Sequence, residues 1–145
     1  MNDEFYVPLI ASPFGSHKGI VSGRPFFPDE LGLPMQKQKI EGIRITVEGI
    51  AEIKKHLERF GSDPQNAAMV QRLQSIIKGK IMLTRYDLNF YTHELREFEH
   101  YKALGYTTGE PNNPDEAYRL WNDTHTATLE EFGLTDEALY HPSTL

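Results

Sequence analysis

The sequence contains no cysteine. That excludes disulfide frameworks, thiol nucleophiles and thiolate metal sites together. It also suits a polypeptide that is threaded across membranes by a dedicated secretion route. No apolar run extends beyond a few residues, so no segment reads as a membrane span, and Met1-Asn2-Asp3-Glu4 lacks the basic start of a secretory signal. Positive charge is in short supply: 15 Lys and Arg against 21 Asp and Glu leave a formal charge of −6. Without a basic tail, non-specific nucleic-acid binding by a broad cationic surface is disfavoured, while a local basic pocket is still allowed. Phosphate-cradling glycine motifs, G-x-S-x-G and paired CxxC elements are absent as well. What is present is one domain's length, 145 residues, with 39% hydrophobic content and eight Phe, seven Tyr and one Trp to fill a core.

The chain divides into an irregular front, residues 1–42, and a helical body, residues 43–145. More than half of the nine prolines fall in the front, in Ser12-Pro13-Phe14-Gly15, Gly23-Arg24-Pro25-Phe26-Phe27-Pro28 and Gly32-Leu33-Pro34. This density forbids long helices. The aromatics Phe5, Tyr6, Phe14, Phe26 and Phe27 suit an arm packed on the body, while composition equally fits a flexible linker over residues 1–25. Ile43, Ile45 and Val47 alternate with Arg44 and Thr46, a weak strand signal. After that the period becomes helical. Ile50, Ile53, Leu57 and Phe60 predict a helix over 47–60, and Met69, Leu73, Ile76 and Ile77, behind the Asp63 cap and Pro64, predict one over 63–78. Thr84-Arg85-Tyr86-Asp87 resembles a capping box and opens a helix over 84–104, striped by Leu88, Tyr91, Leu95 and Phe98. Asn113-Pro114 opens the last, over 113–132, where Trp121, Leu129 and Phe132 share a face. The expected fold is mainly α, a single helical domain behind a Pro/Gly-rich arm, with room for one short strand.

Candidate chemistry sits on the last two helices. Asn89, His93, Arg96, Glu97 and His100 form a polar strip, in which the Glu97 carboxylate can orient the His93 imidazole for acid–base work. The competing reading is a solvated face laced with ion pairs. His125 lies four residues after Trp121 and four before Leu129, on a face that otherwise reads as buried, flanked by Asn122, Thr124, Thr126 and Thr128. It is either a core histidine bonded to the backbone or one directed into a pocket. At the C-terminus, Tyr140-His141-Pro142 either anchors the tail or presents His141 to a site. His93-Glu94-Leu95-Arg96-Glu97 begins like a zinc-protease helix but carries Glu97 where that motif needs its second histidine. No metal ligand set is therefore assigned; a divalent metal is the alternative.

Three ordered patches, Asp87 to Glu97, Leu120 to Glu130 and Leu139 to Pro142, resemble the C-terminal toxin tips of bacterial polymorphic toxins of the contact-dependent inhibition, haemagglutinin and Rhs kinds. The resemblance covers roughly residues 43–145. It implies secretion within a larger effector, action in a competitor's cytoplasm, a nuclease activity, neutralisation by a cognate immunity protein and no stable membrane association. It also picks out His93, Glu94, His125 and His141 as recurring polar positions. For RNA, favoured over DNA, cleavage needs a base for the 2′-hydroxyl, an acid for the leaving oxygen and a cation for the phosphate. His93 and His125, with Glu94, Glu97 and His141 beside them, are the candidate catalytic groups. Arg85, Arg96, Asn122, Thr124 and Thr126 are the candidate substrate contacts, with Arg72 as a further phosphate contact. Tyr91 and Trp121 can stack a base if exposed, although both fit core stripes. The competing functions are a metal-dependent hydrolase using the same histidines and a non-enzymatic helical binding module. At −6, the chain steers toward a partner with a basic patch. Association with an immunity protein should therefore slow as salt is raised; stopped-flow mixing at several salt concentrations checks this, and faster association at high salt would contradict it.

Overall fold

The structure, a computed structural model, describes residues 6–12 and 15–145. Helices α1 (Val47–Leu57), α2 (Pro64–Ile77), α3 (Arg85–Ala103) and α4 (Pro114–Phe132) make the body. In the arm, β1 (Leu9–Ala11), β2 (His17–Gly19) and β3 (Pro25–Phe26) form an antiparallel sheet in the order β1-β2-β3. The domain is thus mainly α. No helix among the described residues is long and apolar enough to cross a membrane.

Local chemistry explains the helix boundaries. Thr84 accepts from the Asp87 amide while the Asp87 carboxylate accepts from the Thr84 amide, completing the capping box with Asp in the place of Glu. Asp63 and Asn113 each cap two amides ahead of a first-turn proline. Gly133, at φ 66°, takes the left-handed conformation that closes α4. The first helix stops at Leu57, short of the expected Phe60, and tightens into a 3-10 turn over Glu58–Phe60. The strand expected at Ile43–Val47 does not form. Thr46 instead caps α1 by accepting from the Gly49 amide, Val47 is already helical, and Ile43 is exposed. A local cap and the adjacent helix stripe outweigh three alternating β-branched residues.

The main core lies between α1, α2 and α3: Ile50, Ile53, Met69, Val70, Leu73, Phe90 and Tyr91 are buried together. A smaller one forms where Phe26 and Leu31 of the arm meet Ala127 of α4. Residues 15–42 are therefore an arm packed on the body; Phe5 and Phe14 lie outside the described residues. Short irregular backbone leaves many amides without ladder partners, and the side chains of α4 supply them. Asp123 accepts from the Phe27 amide at 2.9 Å, Glu130 from Val21 and Ser22 at 3.0 and 2.6 Å, and Glu131 from Gln36 at 3.0 Å. Asn122 donates to the Pro25 carbonyl, and Arg24 donates to Asn122 and Thr126. Gly19 lies so close to the Glu130 carboxylate that a Cβ would overlap it.

One of these acids is costly. Burial, together with the neighbouring Glu30, pushes the Asp123 carboxyl up to about 7, although the Phe27 amide acts the other way. The folded state therefore holds a proton that the unfolded chain has lost between about pH 4 and pH 7, and stability falls as pH rises through that window. Asp123→Asn keeps the acceptor for Phe27 without the charge. The variant should match the parent near pH 4 and melt higher above pH 7, by about 3 °C for each kcal/mol recovered, as followed by thermal denaturation across pH.

Candidate functional site

Three helices each deliver one imidazole to a single carboxylate. Glu97 of α3 accepts from His56 Nε2 of α1 at 2.8 Å, from His93 Nε2 of α3 at 3.0 Å and from His125 Nδ1 of α4 at 3.0 Å. His56 reaches Oε1, whereas His93 and His125 both face Oε2, leaving their ring nitrogens 3.1 Å apart. All four groups are buried. The short connection between α3 and α4 makes the pair antiparallel. His93 and His125 each stand 12 residues from its ends, Gly105 and Asn113, so both sit about 18 Å from the turn. The structure adds what height alone leaves open: both side chains point into the seam.

The second nitrogen of His125, Nε2, donates to Asp136 Oδ1 at 2.6 Å. Burial opposes its charge, but the bonds to Asp136 and Glu97 outweigh burial and raise the ring to about 9. His93 has no such second partner, and burial holds it below its ordinary value despite Glu97. Burial would also raise Glu97, yet three imidazole bonds hold it well below the usual carboxylate range. Glu94, the next acid on α3, is driven the other way by burial and by the charge of Glu97. The Glu94 Oε2 atom has no hydrogen-bond partner, and neither does Nδ1 of His56 or of His93. Such buried orphans are rare in a core that serves packing alone.

Glu94, Glu97 and His125 open on a pocket of about 290 Å³. Its aromatic walls are Tyr118, Trp121 and Tyr140, with Phe60, Leu57, Asn66 and Asp63 completing the rim. Trp121 stacks on His125, ring centroids 4.6 Å apart and planes 16° from parallel, an arrangement that favours a cationic ring. Tyr91 is instead a core residue with its hydroxyl accepting from the Thr46 amide.

Of the residues singled out in the sequence, His93, Glu94, Glu97 and His125 come together. His141 does not: it caps the C-terminal turn by accepting from the Ser143 amide, with its ring edge-on to Tyr86. The proposed substrate contacts are engaged elsewhere. Arg96 is paired with Glu131 and Glu99, and Arg72 with Asp87. Asn122 and Thr126 accept from Arg24, and Thr124 bonds back to the Leu120 carbonyl. Arg85 lines a different cleft, with Asn89 and Phe132. The α3 polar strip is not a solvated face either: Asn89, His93, Glu97 and His100 are all buried, because α1, α4 and the arm cover that side.

His56, Asp136 and Arg24 escaped the sequence reading. For His56 the signal existed, since it falls three residues after Ile53 and four before Phe60, inside an apolar stripe just as His125 does. Asp136 and Arg24 join the site only through tertiary packing: Arg24 bonds Asp136 at 3.3 Å and lies over Trp121. No family model, curated protein or solved structure matches the chain, so the chemistry of the site rests on its geometry.

Removing the shared acceptor while leaving three buried imidazoles should be costly. Glu97→Ala should lose about 3–5 kcal/mol of stability, while Glu94→Gln, which disturbs no hydrogen bond through Oε2, should lose far less. Denaturant titration at pH 7 compares them, and equal losses would contradict the central place of Glu97.

Proposed function

We propose that this domain is a hydrolase of the toxin-tip kind that cleaves the RNA backbone in the pocket beside His125, in a target-cell cytoplasm and under the control of an immunity protein. The observation that carries the reading is the meeting of His125, Glu94 and Glu97 on one aromatic-walled pocket. Its size admits one nucleotide of a single strand and not a duplex, which favours RNA loops and ends over double-stranded DNA. Trp121 and the exposed Tyr118 offer faces on which a base can stack.

The chemistry follows from the positions. Glu94 lines the pocket, where its carboxylate can take the proton of the attacking hydroxyl and return it to the leaving oxygen. His125 is the wall residue able to carry positive charge toward the phosphate, and Asp136 and Trp121 fix its ring. His93 and His56 hold Glu97 in place from behind. A purely structural cluster, the binding-module reading, leaves two carboxylates and an imidazole on an aromatic-walled pocket without a purpose.

Purified domain incubated with single-stranded RNA should produce cleavage fragments, double-stranded DNA should remain intact, and Glu94→Gln and His125→Ala should each lower the rate by at least about 100-fold with circular dichroism unchanged. Intact RNA with the parent domain overturns the nuclease reading.

A further inference from the structure

Positive charge is what the pocket lacks. A phosphodiester entering it meets Glu94 and Glu97 on one wall and Asp63 on another, and His125 is the sole cationic side chain among the lining residues. The arginines near the site are spent: Arg24 is bonded to Asp136, Asn122 and Thr126, and Arg96 to Glu131. An anion would be repelled from this wall as it stands.

The donor set that a cation needs begins at this wall and continues behind it. His93 Nε2, His125 Nδ1 and a Glu97 oxygen all lie within 4.8 Å of one another. The two nitrogens approach to 3.1 Å while both face one carboxylate oxygen, so that with neither nitrogen protonated there, two lone pairs and the oxygen converge on a common point. One ion between them would take both lone pairs. The supporting partners are in place too. Asp136 accepts from the far nitrogen of His125, so that when a metal displaces the proton shared between Nδ1 and Glu97 the ring keeps the tautomer that binds through Nδ1, and His56 secures the other oxygen of Glu97. Two histidines and one carboxylate leave an open coordination position, the arrangement of catalytic rather than structural sites. Glu94 stands beside it, its Oε2 3.7 Å from His56 Nε2.

We infer that His93, Glu97 and His125 bind one divalent transition-metal ion, zinc being the best match to two imidazoles and a carboxylate, with Asp136 and His56 orienting the ligands. The use of that ion in RNA cleavage rests on the function proposed above; its binding does not. The ion would supply the charge that the wall lacks and polarise the phosphate, while Glu94 takes the proton of the attacking hydroxyl and returns it to the leaving oxygen as its P–O bond breaks.

Isothermal titration of the chelator-treated full chain with Zn²⁺ should give one ion per chain with submicromolar Kd, and Co²⁺ should give the visible absorption of a low-symmetry nitrogen and oxygen site. His93→Gln and His125→Gln, checked for folding by circular dichroism, should each weaken binding by at least about 100-fold, and Asp136→Asn by about 10- to 100-fold. His141→Ala should bind as the parent does. No binding by the parent, or binding undiminished in folded His93→Gln and His125→Gln, overturns the metal site. Cleavage assays on the same samples separate the two proposals: RNA cut by a parent chain that binds no metal sinks the metal site alone, whereas metal bound at these residues with RNA left intact sinks the nuclease reading alone.

Discussion

The carboxylate of Glu97 is the constraint on which the body of the domain depends. It is buried and accepts from one imidazole on each of α1, α3 and α4. A buried charge of this kind is tolerable only while its partners stay in place. The crossing of α1 over α3, and the register of α3 against α4, are therefore fixed by a polar interaction more narrowly than apolar packing alone would fix them. The apolar core between α1, α2 and α3 supplies the bulk of burial. The cluster supplies direction, because hydrogen bonds are lost over a few tenths of an ångström while a leucine contact is not.

A second polar seam ties the arm to the body along α4. Asp123, Glu130 and Glu131 are each buried, and each accepts from an amide of the arm. Glu131 also gathers Arg96 and His100, so arm, α3 and α4 meet at one carboxylate. The arm in turn reaches the site: Arg24 bonds the same Asp136 that orients His125. An irregular segment with little regular structure of its own thus becomes part of the scaffold of the pocket, by lending its backbone donors to side chains that would otherwise be buried without partners.

Structural and chemical demands meet in the same residues, and the orphaned atoms mark where they diverge. Glu97 satisfies packing and has every partner it needs, whereas Glu94, one residue after His93, has an oxygen with none. The concentration of acidic groups on a pocket proposed to receive a phosphodiester is the tension that a bound cation resolves. Burial of the ligand set keeps water from competing for such an ion and makes each charge count for more than at the surface.

The four helices were legible in the sequence because their signals are local: caps at Asp63, Thr84 and Asn113, prolines in first turns, glycines at the ends, and apolar residues at helical spacing. The equal distances of His93 and His125 from the α3–α4 turn were legible for the same reason. The arm's sheet was not, because three strands of two or three residues carry no period and are held by α4 rather than by their own propensity. Nor was the fate of the charged residues. A helix-face pattern says that Asn89, His93, Glu97 and His100 lie on one side, but whether that side meets water or three other elements depends on what packs there. Spacing could place His93 beside Glu97; only the approach of α1, α4 and the Asp136 turn decided that the pair would be buried, joined by His56 and His125, and opened to a pocket on one side. Sequence alone determines contacts within a few residues, where the backbone geometry is known in advance. Contacts between residues as far apart as His56 and Glu97, 41 positions along the chain, exist only once the whole chain has chosen its packing.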